Sequence, residues 1–244
     1  MQALELAGER QIAIKDRSNL YRFTLAPITR EMWLQYFDGI VSTSENRNRE
    51  QLNTFDVNSS LLALVHDALT GAEGYKSPAE GKISDLAGWK ELLPFSHRLA
   101  IGQILALVVP LADAGDDEAI ALGFDSVQLS APWNCDVNGV MLLHQPLVHH
   151  FGTPSFEHER RYLRDQAKSK VIGGSRTGKT AYMGTQRALV EIYDELIQSV
   201  EGYTINGQPV EDPAQWMDTY HKVVAAAQLF KAPPAEPEEA VEAA

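Results

Sequence analysis

Asp67-Ala-Leu69-Thr-Gly-Ala-Glu73-Gly74-Tyr75 and Asp194-Glu-Leu196-Ile-Gln-Ser-Val-Glu201-Gly202-Tyr203 end on one triplet and carry an Asp-x-Leu at nearly the same distance before it. A shared tripeptide alone means little. The order of the surrounding landmarks makes it a repeat, and a repeat decides the fold. Upstream, Phe23, Pro27 and Trp33-Leu34 answer to Phe151, Pro154 and Tyr162-Leu163. Downstream, Trp89 leads to His97-Arg98 and Trp216 leads to His221-Lys222.

Each copy reads alike. Residues 11–15 and 20–25 alternate and form one candidate hairpin around a turn at 16–19. Residues 127–130 and 140–151 form the other, around 134–139. A helix is predicted over 29–40 and its counterpart over 155–167, with Thr29 and Ser155 as N-caps. The next helix is the clearest. Leu61, Leu64, Val65, Ala68, Leu69 and Ala72 form one apolar stripe, as do Leu189, Ile192, Tyr193, Leu196, Ile197 and Val200. Gly74 and Gly202 then stand where a helix takes a left-handed stop. A last helix is expected over 95–109 and over 214–230.

The expected fold is α+β but mainly helical: two diverged hairpin-plus-three-helix units in a pseudo-twofold arrangement. The units span 1–112 and 126–230, joined by an acidic connection at 113–125. Residues 231–244 are rich in Pro, Ala and Glu, which offers too little apolar surface to offset ordering entropy. A disordered acidic tail is expected there.

The chain has 244 residues and a formal net charge of -12. That charge repels nucleic acid and anionic lipid at long range. A lone cysteine, Cys135, excludes an internal disulfide and fits a reducing compartment. No signal-peptide pattern opens the sequence, and the longest apolar run, 101–112, is too short to span a bilayer. A cytoplasmic protein is expected.

Gly173-Gly-Ser-Arg-Thr-Gly178-Lys179-Thr180 matches the phosphate-binding loop pattern in full. In such a loop, backbone N–H groups cradle phosphates, Lys179 reaches the terminal ones and Thr180 holds magnesium. The context disagrees. Only Val171-Ile172 precede it as apolar residues, no later apolar strand ends in an acid, and the repeat aligns it with the polar connection 45–51. No cofactor is expected, with nucleotide binding at Gly173–Thr180 kept as the alternative function.

Basic residues crowd the same stretch: Arg160, Arg161, Arg164, Lys168, Lys170, Arg176, Lys179 and Arg187. They suit a solvated face, an acidic protein surface (this chain's own tail included) or, less readily, nucleic-acid phosphates. Arg160, Arg161, Arg164, Lys168, Lys170 and Arg176 are the partner-binding candidates. His144, His149, His150 and His158 with Cys135 lack the paired spacing of a zinc site, so no metal is assigned. His97 and His221 recur at one place in both copies and read as structural wedges at the start of the last helix. No nucleophile stands at a recognisable spacing from a base, so no catalytic residue is assigned and no enzyme is expected.

The stretch Thr153-Pro154-Ser155-Phe-Glu157-His-Glu159-Arg-Arg-Tyr162, followed by Ile192-Tyr-Asp-Glu-Leu-Ile197, Val200-Glu-Gly-Tyr203 and Met217-Asp-Thr-Tyr-His221-Lys222, resembles proteins of phage and prophage morphogenesis clusters. The likeness covers the C-terminal part of the chain and, more loosely, the whole. It implies a tail assembly chaperone or minor virion-assembly component. Such a protein binds tape-measure or tail subunits before they polymerise, in the host cytoplasm.

Overall fold

The computed structural model describes residues 3–45, 51–76, 82–110, 126–130, 132–136, 139–142, 146–168, 179–180 and 184–230. A short strand β1 (Leu4–Glu5) precedes the hairpin β2 (Arg10–Asp16) and β3 (Asn19–Leu25). Helix α1 (Arg30–Gly39) starts on Thr29, whose hydroxyl accepts from the Met32 N–H. An antiparallel pair, β4 (Val41–Glu45) and β5 (Gln51–Phe55), leads to helix α2 (Val57–Ala68) and strand β6 (Leu69–Glu73). A 3-10 turn (Ile83–Asp85), α3 (Trp89–Leu92), α4 (Phe95–Ala106) and β7 (Val109–Pro110) close the first half.

The second half runs β8 (Ser126–Ser130), β9 (Pro132–Asp136), β10 (Gly139–Leu142), β11 (Leu147–Phe151), α5 (Phe156–Lys168), β12 (Lys179–Thr180) and α6 (Gly184–Leu196). It ends with β13 (Ile197–Glu201), β14 (Tyr203–Ile205), β15 (Gln208–Pro209), α7 (Pro213–Trp216) and α8 (Thr219–Gln228).

The two halves repeat one register. β3 pairs β6 with Leu25 opposite Leu69 and Phe23 opposite Ala72, across a bulge. β11 pairs β13 with Phe151 opposite Ile197 and His149 opposite Val200, across the same bulge. The next residue donates its N–H to the carbonyl of the last residue of the helix that precedes the partner strand in both: Ala26 to Ala68 of α2 and Gly152 to Leu196 of α6, each at 2.8 Å. α2 packs on α4 as α6 packs on α8.

Several expectations need correction. The protein is not mainly helical: among the described residues the strands form a five-stranded sheet (β10-β9-β2-β3-β6), a four-stranded sheet (β13-β11-β8-β7) and two of three strands (β1-β14-β15 and β12-β4-β5). The apolar stripe of α2 does not continue to Ala72. The helix stops at Ala68, and Leu69 is already extended at φ -71, ψ 123. Leu69 and Ala72 are buried from a strand because β3 supplies a hydrogen-bonding edge there. Gly74 and Gly202 therefore end strands. Their φ values of +94 and +84 are left-handed, and a Cβ would meet the Leu20 carbonyl at 2.5 Å or the Pro146 carbonyl at 2.9 Å.

The second hairpin was also misplaced. β11 pairs β8, with Leu147 opposite Leu129, and the β9–β10 pair is an insertion between them. Of the polar connection expected at 45–51, Glu45 and Gln51 pair with one another as the ends of β4 and β5, and the rest lies outside the described residues. Within the repeat, Trp89 answers to Pro213, since α3 and α7 occupy equivalent places before α4 and α8.

Strands exchanged between the halves bind them together. β9 pairs parallel to β2 at Ile14–Cys135, β7 pairs β8, and β1 pairs parallel to β14. Arg10 donates to Asp218 at 2.9 Å across the same join. One apolar cluster runs through both halves, with Ile14, Phe23, Trp33, Val65, Leu129, Ile192 and Tyr193 fully or nearly fully buried. No helix among the described residues is long and apolar enough to cross a membrane. The segment 231–244, expected to be a disordered tail, lies outside the described residues.

Candidate functional site

The recurring Tyr and His form one device in each half. Tyr75 and His97 meet at 2.5 Å through the hydroxyl and Nδ1, and Tyr203 and His221 meet at 2.8 Å through the same atoms. The triplet places the tyrosine just past its strand, and the first turn of α4 or α8 supplies the histidine. In the second half the chain lengthens: Tyr203 also meets His149 Nε2 at 2.8 Å, and His149 Nδ1 meets Tyr193 at 2.8 Å. Burial pushes His149 down to about 3 and His221 down to about 4. Burial also raises the Tyr193 and Tyr203 phenols well above their ordinary value. All four groups stay neutral at pH 7, and each oxygen and nitrogen facing another needs one donor and one acceptor. The arrangement locks sheet to helix.

Helix α5 is different in kind. Ser155 opens it, with its N–H donating to His158 Nδ1 at 2.9 Å. The face toward α6 is polar. His158 meets Glu195 at 3.1 Å, Arg161 donates to Glu195 at 2.5 Å, and Tyr162 stacks on Phe230 at 4.6 Å and 9°. The opposite face carries Phe156, Arg160, Leu163 and Arg164, spaced as one helical stripe. Phe156 is 73% exposed and Leu163 58%. Arg160 lies over the Phe156 ring at 5.9 Å.

The repeat shows what such a face does when covered. Trp33 N–H bonds to the Thr29 carbonyl and Glu159 N–H to the Ser155 carbonyl, each at 3.2 Å, so α1 and α5 start in register. Tyr36-Phe37, and not Trp33-Leu34, is then the partner of Tyr162-Leu163. Phe37 is only 6% exposed because Tyr220 of α8 stacks on it at 5.6 Å and 12°. Trp33 also meets Tyr220, at 4.7 Å. The other half of the molecule thus covers α1, while the same face of α5 stays open. Sequence analysis predicted the helix over 155–167 but gave Phe156 and Leu163 no role, because pattern alone does not show which apolar side chains are covered.

The predicted basic cluster is divided. Arg160 and Arg164 are on the open face, with an exposed Glu157 at 3.7 Å from the first and a partly buried Asp165 at 3.5 Å from the second. Arg161 turns inward to Glu195, and Arg187 reaches Asp38 of α1 at 3.2 Å. Lys168 closes α5. Lys170 and Arg176 lie outside the described residues, as do Gly173 and Gly178. Lys179 and Thr180 are in β12, paired with Thr43 and Ser42 of β4. A phosphate loop needs those two residues opening a helix, and α6 begins only at Gly184.

The histidines whose sequence spacing argued against a zinc site are dispersed. His149 is in the buried chain above, His150 meets Glu201 at 2.9 Å, and His144 lies outside the described residues. Among the described residues no three His, Cys, Asp or Glu are grouped to hold a metal ion. A cleft of about 230 Å³ between α1 and α2 is lined by Met32, Tyr36, Ser60, Leu64 and Asp67, among others, with Asp67 its one charged group. No protein-family model, curated protein or solved structure matches the chain.

Proposed function

We propose that this chain is a non-enzymatic binding protein of the assembly type, which holds a segment of a partner protein on the open face of α5. The observation that carries the reading is the difference between equivalent helices. α1 buries Phe37 under Tyr220, whereas α5 leaves Leu163 and Phe156 in water. Exposed apolar side chains ringed by arginines mark a protein contact more than a solvated face. The resemblance to phage morphogenesis proteins supplies the kind of partner: a tail or tape-measure protein held before polymerisation in the host cytoplasm.

The test is co-expression of the full chain with each protein encoded beside it. Wild type co-purifies with one of them, and the Phe156→Asp, Leu163→Asp variant loses it without losing thermal stability. Equal recovery with the variant, or no binding by any neighbour, refutes the reading.

A further inference from the structure

We propose that the acidic segment 231–244 docks in cis on the open face of α5, so that it competes with the partner for that face. The inference rests on the binding role assigned to α5 above. Four observations carry it. First, Phe230, the last described residue, stacks on Tyr162, so the segment leaves the fold from the flank of α5 itself. Second, the charges match. Residues 231–244 hold Glu236, Glu238, Glu239 and Glu242 against Lys231 alone, while the open face of α5 presents Arg160 and Arg164, with Glu157 beside Arg160.

Third, the reach suffices. Fourteen residues extend to about 46 Å, and a thirteen-residue helix is about 20 Å long. Fourth, among the described residues Phe156 and Leu163 are exposed on this helix while Phe37 of α1 is buried, and the Arg160–Glu157 pair there is exposed on both sides, so it is worth little and exchanges readily. Val241 gives the segment one apolar side chain to set against Phe156 or Leu163.

Tethering makes weak contacts sufficient. An effective concentration on the order of millimolar, met by a millimolar dissociation constant, docks about half of the chains. The contact is ionic at its core, so salt releases it. A partner that binds α5 must displace the segment, which gives the protein a built-in threshold against weak or mistaken partners.

The experiment uses the full chain with Cys135→Ser and a nitroxide on Ala244→Cys. Amide signals of residues 156–164 are expected to broaden at low salt. They recover in high salt and in the Glu236→Gln, Glu238→Gln, Glu239→Gln, Glu242→Gln variant. Unbroadened α5 signals at low salt overturn the proposal. Broadening seen only when labelled and spin-tagged chains are mixed also overturns it, and assigns the face to a second copy. The variant without spin label is a further check: its α5 amide shifts differ from wild type if the segment docks and coincide if it does not. Loss of the partner on Phe156→Asp, Leu163→Asp with no tail broadening removes this inference and leaves the binding role. Tail broadening with partner binding unchanged in that variant removes the binding role and, with it, the competition, and leaves only the docking of the segment.

Discussion

Tyr203→Phe and Tyr75→Phe remove the same hydroxyl from equivalent positions, yet their costs differ for a reason visible in the structure. Tyr203 is 3% exposed and its hydroxyl serves two buried nitrogens, His149 Nε2 and His221 Nδ1. Without it, both nitrogens lose their partner, at roughly 1–3 kcal/mol each. The expected loss is therefore about 4 kcal/mol, a large share of the roughly 5–15 kcal/mol that holds a typical protein folded. Tyr75 is half-buried and serves His97 alone, with Asp16 at 3.5 Å from the other ring nitrogen. Water can take the place of its hydroxyl, so about 1 kcal/mol is expected. At roughly 2–4 °C per kcal/mol for a chain of this size, Tyr203→Phe lowers Tm by about 10 °C and Tyr75→Phe by about 3 °C. Urea unfolding of both variants at pH 7.5, with m checked for constancy, measures the difference. Equal losses, or a loss under about 1 kcal/mol for Tyr203→Phe, refute the claim that the longer hydrogen-bonded chain fastens the second half.

Other outcomes follow from the same geometry. Phe37→Ala should cost about 3–5 kcal/mol as a buried aromatic, and Leu163→Ala under about 0.5 kcal/mol, by denaturant titration; comparable costs would mean the α5 face is covered. The protein should lose stability on acidification. His149 and His221 are held neutral at about 3 and about 4, so the unfolded chain gains protons first as pH falls through about 6.5. Stability is full above that value, and it falls by up to about 2.7 kcal/mol per pH unit until the folded values are reached. A urea midpoint that stays flat between pH 7.5 and 5 would contradict the neutral buried pair. Gly74→Ala should cost more than about 1 kcal/mol, because the left-handed φ is compounded by the Leu20 carbonyl at 2.5 Å; an unchanged Tm would refute that contact. Excess magnesium-ATP should leave Tm unchanged in wild type and Lys179→Ala. A ligand at a hundred times its dissociation constant adds about 2.7 kcal/mol, so a shift lost in the variant would restore the phosphate-loop reading.

Much of the organisation was legible in residue order. The Glu-Gly-Tyr triplets and the His-basic pairs mark equivalent places, because Gly is needed wherever φ is left-handed and a buried Tyr hydroxyl needs a partner. Thr29 shows its cap in the sequence for the same local reason. The stripes of α2 and α6 were legible as helices, but their ends were not. Leu69 and Ile197 satisfy a helical period and a strand alike, and the choice falls to the edges of β3 and β11.

The phosphate-loop match had the opposite fate. A local pattern was complete, but Lys179 and Thr180 take their conformation from β4. Local chemistry thus determined where turns, caps and apolar stripes fall, since each depends on a few adjacent residues. Only the tertiary structure decided which stripe is covered. Phe37 and Leu163 are both apolar residues on equivalent helices. Tyr220, from nearly two hundred residues downstream of Phe37, shields the first and reaches nothing like it on the second, because burial is a property of what arrives from elsewhere in the chain.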